Sequence, residues 1–276
     1  MSEVFDITNF TIDHVLRGIM VSPSTGDVIW SINQITDPSL SISTDEASAV
    51  DALGTPIATY NRAKSAQFSA NNSVFDLGLY AAQQGKEKEV ATEAKKITTP
   101  AFETITVPND PENNPVKLAH VPNAIPTKIY LLKNDDTFGE KLEYSATKAD
   151  GKFVYTTTDA SEDVEATASI TFPATATVGA EYFVQYEYDA TRAVAVTGDA
   201  INFPKAGKFV MEVLGANICN QEELVHAYIV FPNAKLDANV DISFTTDGNH
   251  PFTLKANQQY CDRKKILFQI IVPDEE

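Results

Sequence analysis

Apolar side chains alternate with polar ones in three successive segments of the chain's last section. The alternating residues are Phe209, Met211 and Val213, then Val225, Ala227, Ile229 and Phe231, then Val240, Ile242 and Phe244. A β-strand points successive side chains to opposite faces, so this period of two predicts sheets with one face on a core. A fourth run, at Ile266, Phe268, Ile270 and Val272, predicts a terminal strand stopped by Pro273. The predicted fold class is therefore mainly β.

The segment from Ser39 onwards combines strand signals with turn signals. Leu40 and Ile42 alternate with serine, which predicts a strand. Acidic and small residues follow, and we interpret Thr44 to Thr55 as a long loop. A second strand is predicted from Ile57 to Tyr60.

One helix is predicted directly after these strands. The residues Asn71, Asn72 and Ser73 offer N-cap side chains ahead of an amphipathic segment over Val74 to Gln84. Gly85 then supplies a natural stop. The order of elements here is strand, long loop, strand and helix.

Two further segments flank this region. A turn over Ser22 to Asp27 separates the strand candidates Val15 to Met20 and Val28 to Ile32, which predicts a hairpin. The mixed-charge segment from Lys86 to Lys96 either extends the helix or forms an exposed arm.

The middle of the chain differs in composition from both ends. Six prolines fall between residues 100 and 126, so we predict a boundary or linker beginning at Thr98. Four strand-like segments follow it, at Lys128–Lys133, Phe153–Thr157, Ala168–Phe172 and Tyr182–Tyr188. They predict a small immunoglobulin-like β-sandwich that is inserted or projecting. The expected domains are residues 1–98, 99–194 and 195–276, the first and last forming one unit.

The two end segments resemble the major tail tube protein of tailed bacteriophages. The motifs that carry the resemblance are Pro204-Lys205-Ala206-Gly207-Lys208-Phe209, Phe231-Pro232-Asn233-Ala234-Lys235-Leu236 before Val240 to Phe244, Asp247-Gly248-Asn249 and Pro251-Phe252-Thr253-Leu254. Members of that family build a β-sandwich or barrel carrying one helix, close it into rings and stack the rings into the tube through which DNA leaves the head. The resemblance leaves the middle segment unexplained.

The resemblance implies roles for particular residues. The loop from Thr44 to Thr55 would reach an adjacent ring, and the helix would pack on the outside of the barrel. The residues expected to stack rings are Thr44, Asp45, Glu46, Asp51 and Leu53. Arg62 and Lys64 either meet acidic loops of a neighbouring ring or are ordinary solvent-exposed residues, and both interpretations stay open.

The resemblance also implies partners and a location. The chain would associate with itself into hexameric rings, with tail sheath, tape measure and baseplate proteins as possible further partners. DNA would pass through the lumen without specific binding. The protein would belong to the virion tail and would be assembled in the host cytoplasm.

The net charge bears on any contact with DNA. Lysine and arginine number 21 against 38 aspartate and glutamate residues, which gives a formal charge of −17. This balance opposes binding that neutralises phosphates. It suits the wall of a conduit, because like charge keeps a polyanion from adsorbing.

No pattern predicts catalysis, a cofactor or a metal. The four histidines are dispersed, and His14 beside Asp13 is interpreted as a surface pair. The acidic cluster Glu162–Glu165 lacks the glycine of a calcium loop and is interpreted as a solvated turn. Cys219 and Cys261 have no ligand spacing and are expected to be buried thiols. We therefore expect no enzyme.

The N-terminus and the distribution of apolar residues predict a soluble protein. The first ten residues have no basic region before an apolar core, and no apolar run approaches the roughly 20 residues of a membrane helix. We expect synthesis in a cytoplasm and no membrane contact.

Two rival interpretations remain. The chain is alternatively a phage head decoration or fibre protein, in which the middle segment would be the working part. A carbohydrate-binding β module or a β-rich hydrolase would instead use scattered carboxylates and the aromatic stripe Tyr182, Phe183, Tyr186 and Tyr188. That stripe is more simply interpreted as the cover of one sheet face.

Overall fold

The structure is a computed structural model that describes residues 7, 9–158, 166–218, 220–245, 249–258 and 265–273, with backbone alone for 220–223. It is mainly β with one α-helix among the described residues, so the predicted fold class is confirmed. Cys219, Cys261, the cluster Glu162–Glu165 and the pair Asp247-Gly248 lie outside the described residues.

The chain forms two compact units. Unit 1 contains Met1–Glu89 and Val196–Glu276, and unit 2 contains Val90–Ala195. In chain order the elements are β1 (Phe10–Val21), β2 (Val28–Ile32), β3 (Ile35–Val50), β4 (Pro56–Asn72), α1 (Leu77–Gln83), β5 (Glu89–Val90), β6 (Ile97–Thr106), β7 (Val116–Lys117), β8 (Lys128–Leu132), β9 (Phe138–Tyr144), β10 (Lys152–Thr158), β11 (Thr167–Thr171), β12 (Glu181–Ala190), β13 (Val194–Ala195), β14 (Ala206–Asn217), β15 (Asn220–Leu236), β16 (His250–Ala256) and β17 (Gln269–Ile271).

The sheet of unit 1 is rolled into a nearly closed barrel. Its strand order is β2-β1-β14-β15-β16-β4-β3, with β17 added to β15, and its pairs are antiparallel. The outermost strands β2 and β3 are joined by Asn33 and Gln34 alone, so the two edges must approach each other. Trp30 on β2 also reaches Phe252 on β16, with ring centroids 5.8 Å apart. A flat sheet would hold these rings four strands apart.

Aromatic rings fill the interior of this barrel. Phe68 and Phe209 are almost wholly buried and contact each other at 5.8 Å, and Phe231 lies 6.1 Å from both. The predicted alternation is confirmed at six positions that are all buried, namely Phe209, Met211, Val213, Ala227, Ile229 and Phe231. Full burial of each of these side chains other than Ala227 contributes about 1.5–3 kcal/mol, so this face holds the sheet in its rolled shape.

Two predicted C-terminal strands differ from the structure. The strand expected at Val240, Ile242 and Phe244 is wrong, because residues 237–245 contain no strand. Phe244 is 82% exposed and packs against Phe75 at 5.6 Å instead of entering a core. The terminal strand is confirmed but is short, pairing Gln269–Ile271 with β15.

Helix α1 begins later than predicted. The N-cap is Asp76, whose carboxylate accepts a hydrogen bond from the Leu79 amide at 2.6 Å, while Asn71 and Asn72 end β4. Tertiary pairing with β16 therefore overrides the capping preference of those asparagines. The predicted stop is confirmed, since Gly85 has a φ of +71°. Residues 86–96 do not extend the helix.

The N-terminal hairpin is confirmed. Strand β1 pairs with β2, and the turn between them is closed by the Ser22 amide, which donates to the Asp27 carbonyl at 2.8 Å. The predicted loop over Thr44 to Thr55 is wrong for most of its length. Residues up to Val50 belong to β3 and pair with β4, because cross-strand pairing outweighs the low strand preference of the acidic residues and alanines here.

Unit 2 contains a seven-stranded sheet in the order β6-β12-β8-β9-β10-β11-β7. Its strands enclose a separate core that includes Ile129, Phe153, Ile170 and Val184, each fully buried. The four strands predicted between 128 and 188 are confirmed as β8, β10, β11 and β12. An immunoglobulin-like topology is not confirmed.

The linker predicted from Thr98 is wrong in its first part, where β6 pairs with β12 over ten residues. Pro100 lies inside β6, opposite Glu187. Strand β6 pairs with β12 alone among the described strands, so it is an edge strand of the sheet. Proline is tolerated on an edge strand, because the unpaired edge needs no amide donor.

Candidate assembly surface

A two-stranded ribbon extends from the rolled sheet of unit 1, and we call residues 44–64 the arm. Strand β4 pairs with β16 from Gln67 to Asn72, whereas its residues 56–66 pair with β3 alone among the described strands. At about 3.4 Å per residue, the six steps from Thr44 to Val50 span about 20 Å. Both edges of the arm are therefore open to pairing.

The arm has one apolar and one polar face. The register pairs Ala47 with Tyr60 and Ala49 with Ala58 on one face. The other face carries the intervening pairs Glu46 with Asn61 and Ser48 with Thr59. Tyr60 is 60% exposed, so the apolar face of the arm is open to solvent in the single chain.

A hydrogen-bonded turn presents apolar side chains at the tip of the arm. The carboxylate oxygen Oδ1 of Asp51 accepts from the amides of Leu53 at 2.9 Å and Thr55 at 2.8 Å. Gly54 has a φ of +85°, which glycine adopts without strain. Leu53 is 92% exposed and Ile57 is 73% exposed. The turn thus fixes an apolar tip in solvent.

Charged residues near the base of the arm form no ion pair within the part of the chain that the structure describes. Thr44 lies opposite Lys64, and Asp45 precedes Glu46 on the same strand. Arg62 and both acidic residues are exposed, and none of these charged side chains forms an ion pair with another described residue. Their charges are available to another molecule.

The structure brings all seven residues singled out from the sequence onto this arm. They are Thr44, Asp45, Glu46, Asp51, Leu53, Arg62 and Lys64. The sequence analysis missed the apolar face and the contribution of Val50 and Ile57 to the tip. The signal that would have found them is the period of two in Ala47 and Ala49, which we interpreted as loop composition, together with Ala58 and Tyr60 in the predicted strand opposite.

An isolated two-stranded ribbon is marginally stable in water. This arm also exposes unpaired strand edges and an apolar tip, which are features that promote association with another chain. Burial of a leucine or isoleucine side chain contributes about 1.5–3 kcal/mol. Covering Leu53 and Ile57 would therefore offset part of the cost of fixing two chains together.

Apart from the arm, a polar cluster lies on the outward face of the unit 1 sheet. Glu212 is 8% exposed and accepts hydrogen bonds from Arg17 and from His226, the latter at 3.0 Å. The hydrogen bond from Arg17 holds the pKa of the Glu212 carboxyl below its usual range. An ionised, paired carboxylate of this kind ties β1, β14 and β15 together. His226 faces the polar side, as predicted.

Other candidate chemistry is dispersed. His14 and Asp13 form an exposed pair at 2.7 Å, as expected for a surface contact. Within the described ranges, no group of three or more histidine, cysteine, aspartate or glutamate residues is arranged to hold a metal ion. No described helix is long and apolar enough to cross a membrane.

A rolled antiparallel sheet with an exposed amphipathic arm places the chain among β-rich proteins. The chain belongs to the YomU/Tube protein family, whose family model matches residues 10–265. This is a family of phage tube-type structural proteins rather than of enzymes. No curated protein was found to match the chain significantly.

Proposed function

We propose that this chain is the repeating subunit of a phage tail tube, in which hexameric rings stack into a conduit for DNA. The observation that carries the proposal is the arm, which is amphipathic, open at both edges and apolar at its tip. Membership of the YomU/Tube family supports the tube-type role. The number six comes from the resemblance to tail tube proteins.

Ring closure would use the strand edges that stay unpaired in the nearly closed barrel. Strand β2 has β1 as its one partner among the described strands, and β3 has β4. Unpaired edges of this kind are satisfied when a neighbour adds its own strand. A head-to-tail interface repeated around an axis closes into a ring, so each copy would cover the edge of the next.

The arm would join one ring to the next. Its tip would bury Leu53 and Ile57 in an apolar surface of the adjacent ring. Its acidic residues Asp45 and Glu46 and its basic residues Arg62 and Lys64 would pair with opposite charges on that ring. Exposed pairs contribute little each, so the apolar tip would supply most of the stability and the charges would set the register.

The charge of the chain supports passage of DNA without adsorption. A formal charge of −17 per subunit gives a strongly anionic assembly. Like charge keeps phosphates away from the wall. In this proposal the protein resides in the virion tail after assembly in the host cytoplasm, with sheath, tape measure and baseplate proteins as possible further partners.

We propose that the domains of the chain have separate roles. Residues 1–98 and 195–276 would form the tube, and residues 99–194 would project outward as a separate β domain. The division into two compact units supports this proposal. Unit 2 has its own buried core, so it does not depend on the tube for burial of its apolar residues.

The test is negative-stain electron microscopy of the purified protein over a range of concentrations. Wild-type chains should form hollow tubes of constant diameter. In Leu53→Asn, the concentration needed for tubes should rise about tenfold or more, because each 1.4 kcal/mol of lost burial is a factor of ten. The matched control is Ile201→Asn, since Ile201 is also highly exposed, at 82%, but lies off the arm.

Three results would contradict the proposal. Wild-type chains that stay monomeric at every concentration would exclude self-assembly. Assembly on phage heads or at fibre tips, without tubes, would favour the decoration or fibre alternative. Equal tube formation by Leu53→Asn and wild type would remove the arm as the stacking element.

A further inference from the structure

Four aromatic side chains contact one another on the outward face of the unit 2 sheet. Phe102 and Phe183 lie with ring centroids 6.0 Å apart and ring planes within 15° of parallel. Phe138 continues the row at 5.0 Å from Phe183, and Tyr130 lies 5.8 Å from Phe138. We call these four residues the aromatic row.

The aromatic row faces solvent rather than the core of unit 2. Phe102 is 62% exposed and Phe138 is 56% exposed, whereas the neighbouring Tyr182, which points inward, is 8% exposed. Large aromatic side chains usually bury most of their area. The stripe singled out in the sequence is therefore divided, with its tyrosines turned to the inner face and Phe183 turned outward.

Polar side chains stand directly opposite the rings on the neighbouring strands. The register places Gln185 opposite Phe102, Thr104 opposite Phe183 and Lys141 opposite Tyr130. Side chains that are directly opposite on one sheet face are within about 5 Å of each other at Cβ. Flat apolar rings and hydrogen-bonding groups therefore alternate on this surface.

The size of the aromatic row argues against a stable protein partner as its occupant. A stable protein interface takes about 20–30 residues from each side. The row supplies four apolar side chains with polar residues between them, which is a small and interrupted apolar surface. Its dimensions suit a small amphipathic ligand that needs both stacking and hydrogen bonds.

The positive charge beside the row is paired within the sheet. Lys141 and Glu143 on β9 form an ion pair at 3.2 Å, so the cation nearest to Tyr130 is neutralised within the sheet. Glu143 also lies opposite Lys128, and Glu181 stands opposite Leu132 on the same face. Glu187 and Asp189 lie further along the same face of β12, so a polyanion would be repelled here.

We propose that the aromatic row of unit 2 binds a neutral carbohydrate. A sugar ring has an apolar C–H face and hydroxyl groups at its edge. The C–H face would stack on Phe102, Phe183 and Phe138, and the hydroxyls would bond to Gln185 and Thr104. This site lies in the unit to which the tube proposal gives no binding role, and it holds whether or not the chain assembles into tubes.

The test is binding of the labelled full-length chain to an array of neutral oligosaccharides of glucose, galactose, mannose and N-acetylglucosamine. Hyaluronan and duplex DNA serve as anionic comparisons. The chain should bind at least one neutral oligosaccharide. The variants Phe102→Thr and Phe138→Thr should each weaken that binding about tenfold or more, because each loses one stacking ring while threonine preserves the preference for a strand.

The control is Phe203→Thr, since Phe203 is 63% exposed but belongs to unit 1. Its binding should equal that of wild type, and circular dichroism should show that all three variants fold. Tube formation is recorded for the same variants and should be unchanged. Loss of tube formation can therefore be distinguished from loss of carbohydrate binding.

Four outcomes would overturn the carbohydrate proposal. They are no binding to any neutral oligosaccharide, equal binding by wild type and both aromatic variants, binding to hyaluronan or DNA alone, and loss of tubes in the two variants without any sugar binding. The last outcome would assign the aromatic row to a contact between copies of the chain.

Discussion

The carboxylate of Asp51 accepts a hydrogen bond from the backbone amide of Leu53 at 2.9 Å. The most exposed large apolar side chain of the described residues is therefore oriented by the acidic residue two positions before it. The same oxygen holds the Thr55 amide at 2.8 Å. Asp51 thus shapes the tip of the arm through an Asx-type turn, in addition to any charge that it offers to a neighbour.

Asp51→Ala is expected to loosen this tip. The variant loses two hydrogen bonds, at about 0.5–1.5 kcal/mol each, so the concentration needed for tube formation should rise by roughly fivefold to 150-fold. Asp51→Asn keeps an acceptor oxygen and removes the charge, so it should stay close to wild type. Light scattering during assembly measures both. If Asp51→Asn raises the concentration needed for tubes as much as Asp51→Ala does, the charge of Asp51 supports assembly rather than the turn.

Gly85→Ala is expected to destabilise unit 1 strongly. Gly85 has a φ of +71°, and a Cβ there would overlap the backbone of Phe203. The matched control is Gly26→Ala, which has a φ of +78° with nothing within 4 Å of the added carbon. The control should cost about 1 kcal/mol for the backbone alone, or about 2–4 °C in melting temperature.

The melting temperature of Gly85→Ala should fall by at least twice as much as that of the control, measured by differential scanning fluorimetry. Equal shifts for the two variants would show that Phe203 moves away freely. The contact between Gly85 and Phe203 would then not restrict which residue can follow the end of α1.

His250 is expected to make stability depend on pH. Its ring is fully buried, with Nδ1 accepting from the Asp76 amide at 3.3 Å and Nε2 donating to Gln83 at 2.9 Å. Burial lowers the pKa of His250, and protonation would set an N–H against the Asp76 amide. The unfolded chain takes up a proton near pH 6.5, whereas the folded chain resists it. Stability is therefore full above about pH 6.5 and declines as the pH falls.

Urea unfolding at pH 7.5 and 5.5 measures this dependence. Wild type should lose more unfolding free energy over this interval than His250→Gln, which cannot titrate there. The variant should be less stable at pH 7.5, since it loses the shape of the buried ring. An equal loss in both proteins would assign the pH dependence to other groups.

The sequence allowed the β class and much of the strand placement to be predicted. Phe209, Met211 and Val213 alternate without interruption, and strands in a rolled sheet with one buried face produce that pattern. The same pattern was misleading at Val240 to Phe244, because this described segment forms no strand. Alternation shows that one face is apolar, and pairing depends on neighbours that are distant in the chain.

The shape of the arm was not predictable in the same way. Ala47 and Ala49 are small, so the segment resembles a loop in composition, and β3 is held by its partner β4 rather than by burial. The stacking residues were expected in this segment from the resemblance to tail tube proteins, and their role in stacking stays a prediction. The apolar tip depends on the hydrogen bonds of Asp51, and these require the three-dimensional turn.

Amide hydrogen exchange of the arm tests the central claim most directly, because exchange reports whether backbone groups are covered. The amides of residues 44–64 should exchange rapidly in dilute monomer and should become at least tenfold slower in assembled protein. The amides of β14 should be protected in both states. Equal exchange of the arm in monomer and assembly would contradict the account, since the arm would then remain uncovered by any other copy.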